Sequence, residues 1–171
     1  MADPNIKSPM DIWDYLSVII YRTGFLITTI AIFLLPWSDK IAFSSISLLL
    51  LGSAMLASSV HLYLKSFRYI IQYAAWSALI LSFFGFPMLA LGATLLVVGG
   101  LCFKEYFCFR VPGLNLQPIF VTLLWFSIYL DAPIYTKILS IIVGILLAVV
   151  SFKKWSMPLH FDIGDKNKYQ V

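Results

Sequence analysis

The segment YIIQYAAWSALILSFFGFPMLALGATLLVVGGLCF, from Tyr69 to Phe103, contains no Asp, Glu, Lys or Arg, and its reading decides the fold. As one continuous helix it would be about 50 Å long at 1.5 Å per residue. A bilayer's hydrocarbon core is only about 30 Å thick. The segment therefore predicts two membrane helices rather than one. Gly85-Phe86-Pro87 sits at its centre, where a glycine stops one helix and a proline begins the first turn of the next.

Working outward, the same alternation of uncharged apolar runs and short polar breaks extends from Arg22 to Lys153. It predicts an all-α, polytopic membrane helix bundle. The six transmembrane helices fall at about 11–35, 41–64, 69–84, 87–103, 116–130 and 134–152, and a tail covers 153–171. The chain reads as a single integral-membrane domain over 1–171, since no polar segment is long enough to form a second one. Ser8-Pro9-Met10-Asp11 resembles a capping box that opens the first helix with Ser8 as N-cap. Pro36-Trp37-Ser38-Asp39-Lys40 and Asp131-Ala132-Pro133 mark two further turns. Composition agrees: 61% of residues are hydrophobic, 16% aromatic and 12% charged, with mean hydropathy +0.91. A soluble domain carries about 25% charged residues.

Charge orients the bundle. With six spans, Lys7, Arg22, Lys65, Arg68, Lys104, Arg110, Lys153, Lys154, Lys166 and Lys168 fall on one side, against Lys40 and Lys137 on the other. By the positive-inside rule both termini are cytoplasmic. The acidic leader with Asp3, Asp11 and Asp14 predicts no cleavable signal peptide, and no lipidation motif is evident.

Small residues recur at helical spacing and predict helix–helix seams. They are Ser53/Ala57 and Ala54/Ser58 in the second span, and Ala74, Ala78 and Ser82 in the third. The fourth has Gly92 with Gly99 and Ala93 with Gly100, and the sixth has Ser140, Gly144 and Ala148. Three inner helix ends share one pattern of apolar residues, lysine and an aromatic: Leu62 to Phe67, Leu101 to Tyr106 and Val150 to Trp155. The pattern reads either as three repeated hairpins or, more simply, as the common preference of inner helix ends.

Candidate chemistry is sparse. Arg22 is the one ionisable residue deep within a predicted span, whereas coupled transporters and proton relays place such groups at membrane depth. No Ser/His/acid hydrolase signature, phosphate loop, H-E-x-x-H or C-x-x-C occurs. The basic excess, spread over inner helix ends, suits anionic lipid headgroups and not nucleic acid. The chain therefore reads as no enzyme. The densest polar stretch is Cys102-Phe103-Lys104-Glu105-Tyr106-Phe107-Cys108-Phe109-Arg110. It is expected to lie along the inner membrane surface as a partner interface formed by Lys104, Glu105, Tyr106, Phe107, Phe109 and Arg110. Glu105 would pair with Arg22 or with a basic residue of the partner. His61, Cys102 and Cys108, with Glu105, form a speculative soft-metal set. His61 alone would ligate the magnesium of a chlorophyll or the iron of a haem, or simply hydrogen-bond a neighbouring helix. The many aromatic side chains offer surface to lipid, to a partner helix, or to chlorophyll or carotenoid at the periphery.

Gly100-Leu101-Cys102-Phe103-Lys104-Glu105-Tyr106-Phe107-Cys108-Phe109, supported by His61-Leu62-Tyr63-Leu64-Lys65, resembles an uncharacterised integral-membrane protein family found chiefly in cyanobacteria and plastids. The resemblance implies a photosynthetic organism and a thylakoid or plasma membrane, but no established activity. With the residues above it gives the expected function: a non-enzymatic membrane protein that accompanies a larger membrane complex, as a photosystem assembly factor or accessory subunit. The alternative is a small-solute or metal transporter built from the six-helix bundle.

Overall fold

A computed structural model of the chain describes residues 9–40 and 45–169. Among them there is no strand, and helices account for nearly everything between the turns. Helix α1 spans Ile12–Leu34. Its N-cap is Asp11, not Ser8, which lies outside the described residues. Asp11 Oδ1 accepts from the Asp14 N–H at 2.8 Å, and Asp14 Oδ2 accepts from the Asp11 N–H at 2.9 Å. The reciprocal box thus forms between two aspartates, because an extended Asp11 (φ −93°, ψ 177°) aims its carboxylate at the free N–H groups of the first turn.

A 3₁₀ turn over Leu35–Lys40 follows, with Trp37 leaving helical geometry after Pro36. Helix α2 covers Ser45–Ser58 and α3 covers Lys65–Phe83. The turn between them is residues 59–64, four to six residues earlier than the expected break at Lys65–Arg68. Ser58 and Ser59 both turn their hydroxyls back to the Met55 carbonyl, a local bond that competes with helix propagation. The turn before α4 is where the sequence places it. Gly85 takes φ +79°, the Phe86 N–H donates to the Leu81 carbonyl at 2.9 Å, and Pro87 opens the next helix.

Helix α4, Pro87–Phe109, continues well past Phe103, so the stretch expected as a surface loop is helical. It ends at Arg110, whose left-handed backbone (φ 49°) donates its N–H to the Tyr106 carbonyl at 2.8 Å. After Gly113 (φ +83°) and a short 3₁₀ turn come α5, Gln117–Tyr129, and α6, Pro133–Ser156. The chain closes with the short α7, His160–Ile163, and a 3₁₀ turn at Lys166–Lys168.

The helices pack as a ring in chain order, with α1 closing against α6, and α4 also reaches across to α2 and α6. Where α1 crosses α2, a Cβ on Gly52 would collide with Thr28 Oγ1, and one on Gly24 would lie 3.0 Å from Leu56. Gly144 seats the Phe33 ring at the α1–α6 seam, and Gly99 receives Pro118 and Val121 of α5. Buried Val18, Phe25, Leu49, Leu91, Val97, Leu124 and Leu147 fill the interior. The outer surface is just as apolar: Trp13, Phe83, Phe84, Leu130, Ile134 and Phe152 are among its exposed side chains. Contiguous apolar exposure on this scale requires a lipid solvent. Among the described residues three helical stretches, Ile12–Trp37, Pro87–Phe109 and Pro133–Ser156, are long and apolar enough to cross a membrane. Ser45–Ser58 and Leu114–Tyr129 are shorter apolar helices.

Candidate functional site: a buried ion network beneath the C-terminal segment

The finish of α4, the finish of α6, the middle of α1 and the segment after Met157 meet at one end of the bundle, and each contributes charge there. Glu105 on α4 is fully buried. Its Oε1 accepts from the Tyr21 hydroxyl of α1 at 2.8 Å and lies 3.2 Å from Lys104 Nζ. Its Oε2 lies 3.0 Å from Lys154 Nζ of α6. That last approach is off the hydrogen-bond axis, yet a charge pair at this distance is attractive whatever its alignment. Lys154 also pairs with Asp162 Oδ1 of α7. Asp162 Oδ2 in turn accepts from Arg22 Nε at 2.7 Å, and the Arg22 guanidinium donates its remaining bonds to the Met157 and Pro158 carbonyls at 2.8 and 3.0 Å.

The result is a continuous chain, Arg22–Asp162–Lys154–Glu105–Lys104, with Tyr21 bridging its middle. Both lysine ammonium groups also stand 4.9 Å from the centroid of the Tyr21 ring, a distance at which the ring quadrupole attracts a cation. Burying charges costs several kcal/mol per ion, and here each charge faces an opposite one. Chemically the network is a clasp. Its charged side chains face one another, three cations to two carboxylates.

The predicted pairing of Glu105 with Arg22 is thereby corrected. Arg22 is satisfied by Asp162 and two carbonyls, while Glu105 takes Lys154 and Lys104. The sequence reading missed Tyr21, Lys154 and Asp162. One signal for Asp162 was available: Leu159, Phe161 and Ile163 around it make a more apolar run than a solvated tail carries.

The other expected residues separate. Phe107 and Arg110 are exposed, Phe109 packs near Lys154 (5.7 Å), and Tyr106 leans on the core. Cys102 is buried and Cys108 exposed. Among the described residues no three His, Cys, Asp or Glu side chains gather to hold a metal ion, so the His61–Cys102–Glu105–Cys108 set does not assemble.

His61 lies in the 59–64 turn, with Nε2 3.3 Å from Ser17 Oγ and Nδ1 buried without a hydrogen-bond partner among the described residues. Its ring meets Tyr169 edge-on at 6.5 Å. With one nitrogen engaged and the other enclosed, it offers no open ligand to a chlorophyll or haem. Burial, aided by the Lys104 charge, lowers its pKa to about 4, so the imidazole is neutral at pH 7. The C-terminal segment continues over it: Tyr63 OH accepts from the Asp165 N–H at 3.0 Å, and Lys166 pairs with Asp14 of α1. A cavity of about 540 Å³ remains beneath this segment, bordered by His61, Lys104, Glu105, Lys154, Asp162 and Tyr169.

Residues 79–171, which hold Lys104, Glu105, Lys154 and Asp162, match the family described as "Uncharacterized integral membrane protein (DUF2301)". The chain belongs to this family. It is also 57% identical, over all 171 residues of both chains, to an "Uncharacterized protein" of Haemophilus influenzae. No solved structure matches. Membership makes the chain an integral membrane protein in contact with the lipid bilayer. The Haemophilus relative, from a proteobacterium, extends the family beyond cyanobacteria and plastids.

Proposed function

We propose that this chain is a non-enzymatic integral membrane protein that accompanies a larger membrane complex, and that a transmembrane helix of the partner seats on the outer face of α2 and α3. The observation that carries this reading is Trp76, 63% exposed, beside Tyr73, 68% exposed, in the middle of α3. Trp76 is about 17 Å along the helix from Lys65; with α3 as a span that begins at Lys65, this depth is free of water. Among the described residues neither the indole N–H nor the phenol has a hydrogen-bond partner. Hydrocarbon supplies none, and an unsatisfied polar group there costs several kcal/mol. Trp76 also edges a recess of about 430 Å³ between α1, α2 and α3, floored by Ala54, Ala57, Ser58 and Ala75. Small residues of this kind let a second helix approach closely.

In this reading helices α1 to α6, the shorter α2 and α5 included, all cross the membrane, and the network end faces the cytoplasm with both termini, as the ten-to-two distribution of Lys and Arg favours. The relative in Haemophilus influenzae supports a bacterial plasma membrane, and a partner outside photosynthesis, over the photosystem and thylakoid that the resemblance suggested. A metal-transport role loses its candidate site, because Glu105 is committed to Lys154, Lys104 and Tyr21. The test is affinity purification in mild detergent followed by mass spectrometry. A stoichiometric membrane partner that is recovered with the natural chain and lost in Trp76→Ala is expected. Recovery of the chain alone would overturn the reading.

A further inference from the structure

Helices α3 and α5 both pack on α4, from either side. They leave a groove of about 720 Å³ whose walls are almost wholly apolar. It follows α4 from Gly92 to Lys104, about 18 Å of helix. Gly92 and Gly99 keep α5 tight against the floor of this groove, since a Cβ on either would meet Trp125 or Val121 at 3.0 Å or less. Leu62, Leu64, Phe67, Lys104 and Phe107 border both this groove and the polar cavity beneath the C-terminal segment. An apolar channel and a charged chamber thus meet at Lys104.

The chamber carries a net positive charge: three cations (Arg22, Lys104 and Lys154) face two carboxylates (Glu105 and Asp162) in the network. Lys104 meets Glu105 at 3.2 Å and the Tyr21 hydroxyl at 3.3 Å, and with a side chain 22% exposed it is the least enclosed of the three. An anionic group for this excess charge, at the mouth of an acyl-sized groove, describes one molecule.

We propose that groove and chamber hold a single anionic phospholipid drawn from the bilayer. One acyl chain lies along α4 between α3 and α5, and the phosphate sits beside Lys104. This site and the proposed partner seat at Trp76 occupy different sides of α3, so either can fail without the other.

The test is native mass spectrometry of the full chain in detergent with equal amounts of phosphatidylglycerol and phosphatidylcholine. One phosphatidylglycerol per chain is expected, retained roughly fivefold or more over phosphatidylcholine, whose choline ammonium offsets its phosphate; that is the ratio one cation supplies toward a net-anionic lipid. Lys104→Gln should remove most of that preference. Thr122→Trp, which fills the groove far from the network, should reduce retention of both lipids. Equal retention of the two lipids by the natural chain would overturn the proposal. So would unchanged phosphatidylglycerol retention in Thr122→Trp, or displacement of the lipid by inorganic phosphate alone at comparable concentration.

Discussion

At the scale of single residues, Asp162 is the link on which the network depends, because it faces two cations and stands in the short α7. Asp162→Ala would leave Arg22 buried without a carboxylate, a loss of about 3–5 kcal/mol. Arg22→Met with Asp162→Leu removes both partners and leaves Lys154 still opposite Glu105. We expect the double variant to recover at least about half of the single variant's loss in thermal midpoint, followed by tryptophan fluorescence in detergent. A double variant no more stable than Asp162→Ala would show that the two residues do not act as a pair.

His61 makes the docking of the C-terminal segment sensitive to acid. Its native pKa of about 4 lies below the ordinary 6.5, so the undocked state takes up the proton first. Docking is therefore at full strength above about pH 6.5 and weakens as pH falls toward about 4. The charged groups facing the ring are Lys104 and Lys154, which oppose its protonation, and Asp162 and Asp14, which favour it. The protection factor of the Asp165 amide, whose N–H bonds Tyr63 OH, should fall over that window once the slower intrinsic exchange in acid is divided out, and His61→Phe should flatten the dependence.

At the scale of elements, the α1–α2 crossing depends on Gly52. Its missing side chain leaves the place that Thr28 Oγ1 occupies while that hydroxyl bonds the Gly24 carbonyl. Gly52→Ala should cost about 1–3 kcal/mol through overpacking. Adding Thr28→Ala removes the colliding oxygen, and the pair should melt closer to the natural chain than Gly52→Ala does. The glycines expected from spacing, Gly92, Gly99, Gly100 and Gly144, all lie at helix contacts, whereas Gly24 and Gly52 do not stand out in the sequence. Spacing identifies repeated small residues within one helix. It does not identify a glycine that matters because of one atom on another helix. The α2–α3 turn was misplaced for a similar reason. Lys65 and Arg68 signal a membrane boundary by their charge, but charge is compatible with a first helical turn, and the serine hydroxyls set the actual break.

At the scale of the whole molecule, the proposed topology is open to direct test. In a background lacking Cys102 and Cys108, single cysteines at Ser38 and Ala132 should react with an impermeant maleimide from outside the cell. A cysteine at Lys65 should react only after permeabilisation. The opposite pattern would reverse the orientation.

The lipid solvent, the helical class and the turns at Gly85–Pro87 and Asp131–Pro133 were determined by the sequence alone. Apolar run length, glycine and proline geometry and charge asymmetry act locally or by composition, and no distant contact can cancel them. The identity of each buried charge's partner was decided only by the tertiary structure. Arg22 and Asp162 lie 140 positions apart, and Glu105 had both Arg22 and the lysines as chemically adequate partners. Coulomb attraction does not depend on which residue carries the opposite sign. Only the packing of α6 and α7 against α1 and α4 sets which cation stands about 3 Å away.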